Sequence, residues 1–303
     1  MNVKKVKKSH IEGVVQAPKS LSLDRLLKTN SDQHFIDGPI AIVFGDKPSE
    51  TQKTVEHLAT LGFQNFVILD AVYQETSDLN TINIKLPPEF ATVDARGALL
   101  TRLSDWLTGR WLYWCQAGES LCFPFCETRS IRDAIQFIEE ERRNSCAAMV
   151  VDLYPQDIPA YIDGKDSALY FDRLGYFHLG RKDKSGRYPE RQPIIKGGLR
   201  WRRAELLTEP QQRLDRVPLF RAVPGLTLDE ELRFNIEEMN TLACPWHNNL
   251  TMAVPSTRFA RVICEDTPTL SEIPDFCWHG SEPYRGTSYQ LMEAGLMEPG
   301  QWF

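Results

Sequence analysis

The sequence lacks several features that would assign it quickly to a class of protein. No apolar run approaches the ~20 residues that a membrane-spanning helix needs. The basic start, MNVKKVKKSHIEG, has no apolar segment behind it and so does not resemble a secretory signal. The formal net charge of −6 argues against a nucleic-acid partner, because nucleic-acid-binding surfaces are basic. We therefore expect a cytoplasmic protein without a transmembrane segment.

Familiar catalytic and phosphate-binding motifs are also missing. The sequence has no Gly-x-Ser-x-Gly nucleophile elbow and no Gly-x-x-x-x-Gly-Lys-Ser/Thr phosphate loop. No Gly-x-Gly-x-x-Gly follows a predicted strand. These absences argue against nucleophilic catalysis at such an elbow, against a P-loop and against dinucleotide binding.

Closely paired cysteines are missing as well. The seven cysteines are an odd number and include no C-x-x-C pair, whereas structural zinc sites usually have tightly spaced ligands. We interpret most of them as reduced thiols that pack in the core. A less favoured alternative is a zinc site that would draw on Cys115, Cys122, Cys126 and Cys146.

Short apolar runs alternate with amphipathic segments in the first half of the chain. The apolar runs predict strands buried on both faces, at residues 39–44, 66–70, 111–115 and 147–153, with a more peripheral strand at 81–85. The amphipathic segments predict helices from Ser49 to about Leu61, over 92–108 and from Ser130 to about Arg143. This alternation predicts an α/β fold with a mostly parallel twisted sheet flanked by helices.

The sequence also suggests how the chain is divided. Residues 1–36 are polar and weakly periodic, and we expect a mobile or disordered leader. Residues 37–227 contain the alternating strands and helices and predict the main domain. Residues 228–303 predict an irregular extension, with a helix over 228–243 and a proline-rich tail, packed on that same domain.

Polar residues follow several of the predicted strands. Asp46, Asp70 and Asp152 lie at or near strand ends, and so does the turn from Gln116 to Glu119. In sheets of this kind, ligands bind outside the carboxyl ends of the strands. The sequence therefore predicts a binding site at this edge, although Asp46 also suits a loop that caps a helix.

Three segments carry a family resemblance. The stretch Gly62–Asp70 has a Gly-Phe turn that leads into a strand ending in Asp, and the helix at 92–108 is followed by the strand Trp111–Trp114. Lys196–Arg202 contains a Gly-Gly-x-Arg-x-Arg element. In their order, these segments resemble bacterial family 2 glycosyltransferases over residues 38–303.

The resemblance implies a GT-A-like domain that transfers a sugar from a nucleoside diphosphate donor to a glycan or glycolipid acceptor. In that family, acids of an Asp-x-Asp motif hold Mn²⁺ or Mg²⁺, which neutralises the departing diphosphate, and another acid deprotonates the acceptor. The resemblance assigns nucleoside binding to Asp46 and Asp70, diphosphate contact to Gln116, Gly118 and Glu119, and the base to Asp152 or Glu265.

The segment equivalent to the Asp-x-Asp motif departs from the family pattern. Gln116 and Gly118 replace both acids, so that Glu119 alone carries a negative charge. Mg²⁺ and Mn²⁺ are bound by several oxygen ligands, and a single carboxylate is a poor site for either.

Three interpretations of the altered motif remain open. Arginines could replace the metal, because guanidinium groups pair well with diphosphates, and the candidates are Arg200, Arg202 and Arg203. Alternatively, His279 or His247 could join Glu119 in a reduced metal site. In the third interpretation the site is inactive, and the protein binds a glycan or a protein partner.

Overall fold

The central strands are apolar on both faces because the sheet has a core on each side. In the strand Ile40–Phe44, Ala41 and Val43 enter one core, whereas Ile40, Ile42 and Phe44 enter the other. A strand in this position has no solvent-facing side and needs no polar residues. The continuous apolar run in the sequence is the direct consequence.

The structure is a computed structural model that describes residues 21–71, 73, 78–90, 92–162, 165, 167–180, 185–187, 193–206, 213–241, 249–266 and 275–302. Its strands are β1 (Leu21–Ser22), β2 (Ile40–Phe44), β3 (Asn65–Leu69), β4 (Asn80–Lys85), β5 (Trp111–Gln116), β6 (Ser145–Pro155), β7 (Leu169–Asp172), β8 (Phe177–Gly180), β9 (Pro193–Lys196), β10 (Asp215–Arg221), β11 (Met252–Ser256) and β12 (Ser281–Pro283). Its α-helices are α1 (Leu23–Leu26), α2 (Pro48–Thr60), α3 (Arg96–Trp106), α4 (Ile131–Glu140), α5 (Ile158–Ile162), α6 (Gly198–Arg202), α7 (Arg258–Asp266) and α8 (Ser288–Glu293).

Ten of these strands form one mixed sheet. Its order is β1-β4-β3-β2-β5-β10-β6-β7-β12, with β11 paired alongside β6. The strands from β1 to β5 pair in parallel, whereas β10 runs antiparallel to both β5 and β6. The predicted α/β fold is confirmed, with parallel pairing up to β5 and mainly antiparallel pairing beyond it, where β11 alone among the described strands pairs in parallel, with β6.

Helices cover both faces of this sheet. The apolar residues of α2 and α4 pack in the core on one side, and those of α3 pack in the core on the other. A reciprocal capping box starts α4, in which Ser130 N–H donates to Asp133 Oδ2 (2.7 Å) and Asp133 N–H donates to Ser130 Oγ (3.3 Å). In the described part of the chain, no helix has the length and apolarity that a membrane crossing requires.

The start of α2 differs from the prediction. The sequence places the start of this helix at Ser49, but the N-cap is Lys47 and the helix begins with Pro48. Proline suits the first helical position because its fixed φ matches the helix and its missing N–H has no partner there. The predicted start, Ser49, therefore lies inside the first turn.

Part of the segment predicted as a leader belongs to the folded domain. Residues 1–20 lie outside the described part of the chain, but residues 21–36 pack on the sheet, where Leu23, Leu26 and Phe35 are buried. The first strand, β1, also pairs in parallel with β4. The prediction of a mobile leader is therefore wrong for residues 21–36.

The C-terminal segment also differs from its prediction. Residues 228–241 form turns with a short 3-10 helix at Glu237–Asn240, so the predicted helix over 228–243 is wrong for this described stretch. The Asp229 carboxylate accepts the N–H groups of Glu231 (3.0 Å) and Arg233 (2.9 Å), and such local bonds compete with helix formation. Further on, β11 joins the main sheet beside β6, in a region that the sequence presents as irregular.

Candidate ligand site at the ends of β2 and β5

The parallel core reverses its direction of winding between β2 and β5. From β2 the chain continues to β3 and β4 on one side, and it then returns to the other side of β2 to form β5. The loops that leave the two strands diverge at such a switch point, and open α/β sheets bind ligands there. The residues at this position are Gly45 and Asp46 after β2, and Ala117 to Glu119 after β5.

The turn after β5 is fixed by neighbours on both sides. Ala117 N–H donates to the Phe44 carbonyl oxygen (2.8 Å), and Gly118 N–H donates to Thr54 Oγ1 of α2 (3.0 Å). From the other side, Thr257 N–H donates to the Gly118 carbonyl oxygen (3.2 Å). The turn therefore connects β2 and α2 with the segment between β11 and α7.

The geometry of Gly118 explains why this position carries no acid. Its φ is +87°, which is strained for any residue with a Cβ. A Cβ at this position would also lie 3.4 Å from both Glu50 Oε2 and Arg258 Cγ, so there is little room for a side chain. The local backbone and its close neighbours together disfavour the second acid of an Asp-x-Asp motif.

Glu119 is buried, and both of its carboxylate oxygens accept hydrogen bonds. Its Oε1 accepts from Arg216 Nη1 (3.1 Å), and its Oε2 accepts from Arg216 Nη2 (2.8 Å) and from the Gln116 N–H (2.8 Å). Burial raises the pKa of this carboxyl group, but Arg216 and the Gln116 hydrogen bond outweigh it, and the pKa is lowered. Glu119 is thus ionised and already neutralised by a protein cation.

The residues near Glu119 do not fit a divalent metal ion. Both of its oxygens are occupied by donors, and no group of three or more metal-ligating side chains occurs in the described part of the chain. His279 is exposed and lies just before β12, from which β5 is separated by β10, β6 and β7. His247 lies outside the described residues. Among the described residues, the turn therefore offers no set of side chains suited to a divalent metal ion.

Four arginines surround the turn, and we call them the arginine cluster. Arg96 comes from the start of α3, Arg216 from β10, and Arg258 and Arg261 from α7. Two of them stack on aromatic rings at the strand ends: the Arg96 guanidinium lies 5.4 Å from the Phe44 ring centre, and that of Arg216 lies 4.5 Å from Trp114. Arg258 Nη1 donates to the Ala117 carbonyl oxygen (3.0 Å).

The arginine cluster carries more positive charge than its acidic neighbours neutralise. Its four guanidinium groups face the three carboxylates of Asp46, Glu50 and Glu119. Within the described residues, Arg96 has no ion-pair or side-chain hydrogen-bond partner. The pKa of Arg96 is lowered to about 10, because burial and Arg258 disfavour its charge and Glu119 only partly compensates. Arg96 therefore remains protonated at neutral pH without a counter-charge of its own.

A second member of the cluster has an unused donor. Arg261 is buried, with 7% of its surface exposed. It pairs with Asp46, but its Nη1 makes no hydrogen bond to any described residue and lies 3.8 Å from Glu50 Oε2. Buried donors nearly always have a hydrogen-bond partner, so this nitrogen is an unsatisfied donor whose nearest carboxylate is that of Glu50.

Of the two aspartates predicted to bind the nucleoside, only Asp46 joins the cluster. Its carboxylate accepts from Arg258 Nη1 (3.3 Å) and from Arg261 Nη2. Asp70 follows the neighbouring strand β3, but its carboxylate is turned towards β4, where it accepts from Leu86 N–H (2.9 Å) and pairs with Lys85 (3.2 Å). The structure therefore brings Asp46, Gln116, Gly118 and Glu119 together and leaves Asp70 to one side.

Asp152, a predicted base, forms a buried pair with Arg200. Arg200 Nη2 donates to Asp152 Oδ1 (2.6 Å), and Arg200 Nε donates to Oδ2 (2.9 Å). The Asp152 side chain has no exposed surface. The base assignment stays a prediction, and it would require this pair to open. The other predicted base, Glu265, lies in α7, but its side chain lies outside the described part of the structure.

Arg202 belongs to a separate polar centre around the buried Asp172. Arg202 Nε donates to Asp172 Oδ2 (2.7 Å) and its Nη2 donates to Oδ1 (2.9 Å), while the Tyr154 hydroxyl and Trp278 Nε1 (2.8 Å) also donate to Oδ1. We call this set the Asp172 centre. The third predicted arginine, Arg203, pairs with Glu205 (3.3 Å). The arginines predicted to replace the metal are thus committed to protein carboxylates.

One member of the arginine cluster, Arg258, could have been predicted from the sequence. Arg258 follows the apolar run Met252–Ser256, which ends at the same edge of the sheet as β6, so the rule used for the other strand ends applies to it. Arg96 and Arg216 have no such signal. They reach the turn only because α3 and β10 pack beside it.

The four cysteines of the zinc alternative do not converge. Cys122 and Cys126 are neighbours, but Cys115 is buried in β5 and Cys146 in β6, and β10 separates these two strands. Cys146 Sγ instead donates to the Leu250 carbonyl oxygen (3.5 Å). The described structure therefore offers a pair of thiols and no fourfold cysteine site.

Comparison with known proteins leaves the family open. No protein-family model matches the sequence, and a search of curated proteins finds no match. Among solved structures, the chain is similar to a putative glucose-1-phosphate thymidylyltransferase from Bacillus anthracis, solved in complex with a sucrose. That similarity has a TM-score of 0.28 at 10% identity, over 61% of this chain and 72% of the other. The functional inference therefore rests on the site itself.

Proposed function

We propose that this protein transfers a sugar from a nucleoside diphosphate donor to a glycan or glycolipid acceptor, and that arginines bind the diphosphate without a metal ion. The observation that carries the proposal is the uncompensated charge of Arg96 at the switch point of the sheet. An anionic ligand at this position would supply the missing counter-charge.

The chemistry of sugar transfer suits such a site. When the glycosidic bond to the donor breaks, negative charge grows on the departing diphosphate, and fixed cations stabilise it. A guanidinium group forms two parallel hydrogen bonds to phosphate oxygens and keeps its charge at any physiological pH. Arg96 and Arg258 are the partly exposed members of the cluster and are best placed to supply these bonds.

The nucleoside would lie beside the diphosphate at the same edge. Asp46 keeps about a third of its side chain exposed at the end of β2, and Gln116 is partly exposed at the end of β5. A carboxylate and an amide can both hydrogen-bond the hydroxyl groups of a ribose. We assign Asp46 and Gln116 to this part of the donor, with Asp70 as a more distant contact.

One observation favours a second function, in which the protein binds a glycan or a partner without catalysis. An acceptor hydroxyl needs a free base within hydrogen-bonding distance. Both oxygens of Asp152 are instead taken by Arg200 in a buried pair. A protein with a donor site and no available base would bind the nucleotide and leave the sugar in place.

Calorimetric titration with UDP and UDP-sugars tests the donor site. We expect saturable binding whose affinity is the same with Mn²⁺ and with EDTA, because no metal takes part. Affinity that requires Mn²⁺ would contradict the arginine mechanism. A failure to bind any nucleotide would contradict the enzyme proposal and favour the binding module.

A transfer assay separates the two functions once nucleotide binding is established. The protein is incubated with a UDP-sugar that it binds and with a mixture of glycan and glycolipid acceptors, and the release of UDP is followed. Acceptor-dependent release of UDP supports the transferase. Binding of the donor without release under the same conditions supports the non-catalytic alternative.

A further inference from the structure

Two cysteine thiols face each other in the loop that follows the Glu119 turn. The Sγ atoms of Cys122 and Cys126 are 3.7 Å apart. Cys122 is buried, with 5% of its surface exposed, whereas Cys126 is partly exposed. This arrangement is independent of the arginine cluster and of the function proposed above.

The backbone explains why the two thiols meet. Cys122 is fixed to β11 by a reciprocal pair of hydrogen bonds: Cys122 N–H donates to the Ala253 carbonyl oxygen (2.9 Å), and Ala253 N–H donates back to Cys122 (2.8 Å). The chain then turns, with Cys126 N–H donating to the Phe123 carbonyl oxygen (3.0 Å). The turn includes Phe125 at a φ of +61°. One thiol is therefore anchored, and the other is brought back to it by a tight turn.

The two thiols are chemically different. The hydrogen bond with Cys122 lowers the pKa of Cys126, although partial burial opposes this effect. The same hydrogen bond, together with burial, raises the pKa of Cys122. Either sulfur can donate this hydrogen bond, and the lower pKa favours the thiolate on Cys126. The thiolate is the reactive form of cysteine.

We propose that Cys122 and Cys126 form a redox-active dithiol that peroxide oxidises to an intramolecular disulfide. The Cys126 thiolate attacks one oxygen of the peroxide, which breaks the O–O bond and gives a sulfenic acid and hydroxide. The Cys122 thiol then attacks the Cys126 sulfur and displaces the sulfenic oxygen as water, and the hydroxide becomes the second water by taking up the proton that the Cys126 thiol released when it ionised. In the balance, two thiols lose two electrons and two protons, and hydrogen peroxide is reduced to two water molecules.

The geometry permits this step with a small movement. The bond in a disulfide is about 2.05 Å long, so the two sulfur atoms must approach by roughly 1.6 Å. Because Cys122 is anchored to β11, this movement falls mainly on the side chain of Cys126. A dithiol reductant such as dithiothreitol reverses the reaction by thiol–disulfide exchange.

Three other thiols, those of Cys115, Cys146 and Cys277, are poor competitors. Cys115 and Cys146 are buried, and burial raises the pKa of both, that of Cys146 to about 12. Cys277 is partly exposed, but partial burial and Asp275 raise its pKa. Selective oxidation at Cys126 is therefore expected, and Cys277 provides a matched control.

The test uses the full-length protein, reduced with dithiothreitol, freed of reductant and treated with a small excess of hydrogen peroxide. Free thiols are then alkylated, and the peptides are mapped by mass spectrometry. We expect a Cys122–Cys126 disulfide as the first product, with the loss of two alkylation sites and their return after dithiothreitol. Cys277→Ser leaves this product unchanged.

Two variants make the result decisive. Cys126→Ser, at the partly exposed position, abolishes the disulfide and leaves Cys122 slow to oxidise. Cys122→Ser leaves Cys126 without a partner, so that it accumulates as a sulfenic acid that dimedone traps. The proposal is overturned if Cys126 stays open to alkylation while Cys277 is oxidised, or if peroxide oxidises Cys126 in the intact protein without linking it to Cys122.

Discussion

Two buried carboxylate–arginine pairs in this protein share their chemistry and differ in their surroundings. Asp172 pairs with Arg202, and Glu119 pairs with Arg216. In the Asp172 centre, Tyr154 and Trp278 also donate to the carboxylate. Around Glu119 lie three further arginines and only two further carboxylates, those of Asp46 and Glu50, and one of these arginines, Arg96, has no ion-pair partner among the described residues.

The difference separates a structural role from a ligand-binding one. A buried pair whose donors and acceptors all have hydrogen-bond partners has no need of a ligand. Removing it lowers the free energy of unfolding. In a cluster with surplus positive charge, the guanidinium groups repel one another in the free protein. An anionic ligand would reduce this repulsion. Perturbed groups of this kind occur preferentially at functional sites. The two centres should therefore respond differently to mutation.

The largest effect is expected from Asp172→Asn, which removes the negative charge and keeps the shape. It leaves Arg202 largely buried without a counter-charge and weakens the acceptor for Tyr154 and Trp278. Removal of one partner from a buried pair costs about 3–5 kcal/mol. We expect a loss of this size in the free energy of unfolding, measured by urea denaturation.

The exposed pair of Arg203 and Glu205 provides the control for this measurement. Glu205 has 59% of its side chain exposed, and pairs of this kind contribute less than about 1 kcal/mol. Glu205→Gln should therefore leave the unfolding curve almost unchanged. If both variants shift the urea midpoint equally, the Asp172 centre does not have the structural role assigned to it.

The next effect is expected from Glu119→Gln. The variant leaves Arg216 without its buried partner and should destabilise the fold by about 3 kcal/mol at pH 7. If Glu119 instead served a metal ion, its loss would abolish a dependence on Mn²⁺. Under the arginine mechanism, nucleotide binding to the folded variant persists in EDTA, because the loss of a negative charge does not weaken attraction for an anion.

Acidification provides a second readout of the same variant. The pKa of Glu119 in the folded protein lies below its ordinary value of 4.5, so the ionised group stabilises the fold above pH 4.5. That contribution is lost as the pH falls through the lower folded pKa. The free energy of unfolding of Glu119→Gln should therefore decline less than that of the unmutated protein as the pH falls below 4.5. Equal declines would show that Glu119 is not held ionised by Arg216.

The sequence predicted the parallel core of the fold but missed the strands that complete the sheet. Strands β2, β3 and β5 have uninterrupted apolar runs, and periodicity is enough to find them. By contrast, β10 contains Pro218 and β11 contains Pro255, and proline is unusual within a sheet. In β10 the pairing with β6 is irregular between Arg216 and Leu219, around that proline.

The candidate site was predicted in part for a similar reason. The turn from Gln116 to Glu119 and Asp46 were found because each follows a strand along the chain. The sequence predicts diphosphate-binding arginines in Lys196–Arg202, where they lie close together along the chain. In the structure, Arg200 is neutralised by Asp152 and Arg202 by Asp172, and both aspartates are distant in sequence. A run of arginines in the sequence shows where positive charge lies. It does not show which carboxylates pair with these arginines, because that depends on tertiary packing.

The smallest effect on stability, and the sharpest test of the comparison, is expected from Arg96→Gln. Because Arg96 lies near Arg258 and pairs with no carboxylate of the described segments, its neutralisation should leave the melting temperature unchanged or slightly higher. The same change removes a cation from the proposed diphosphate site and should weaken UDP binding about tenfold, which corresponds to about 1.4 kcal/mol. Calorimetry and thermal denaturation measure the two quantities on one sample.

Arg102→Gln is the matched control, since Arg102 lies on the same helix, α3, and pairs with the exposed Asp24 away from the turn. It should change neither UDP affinity nor stability appreciably. If Arg96→Gln lowers stability without affecting UDP affinity, Arg96 acts like Arg202 in the Asp172 centre, and the distinction between the two centres fails. A loss of affinity at unchanged stability would place the ligand where the structure leaves a charge unpaired.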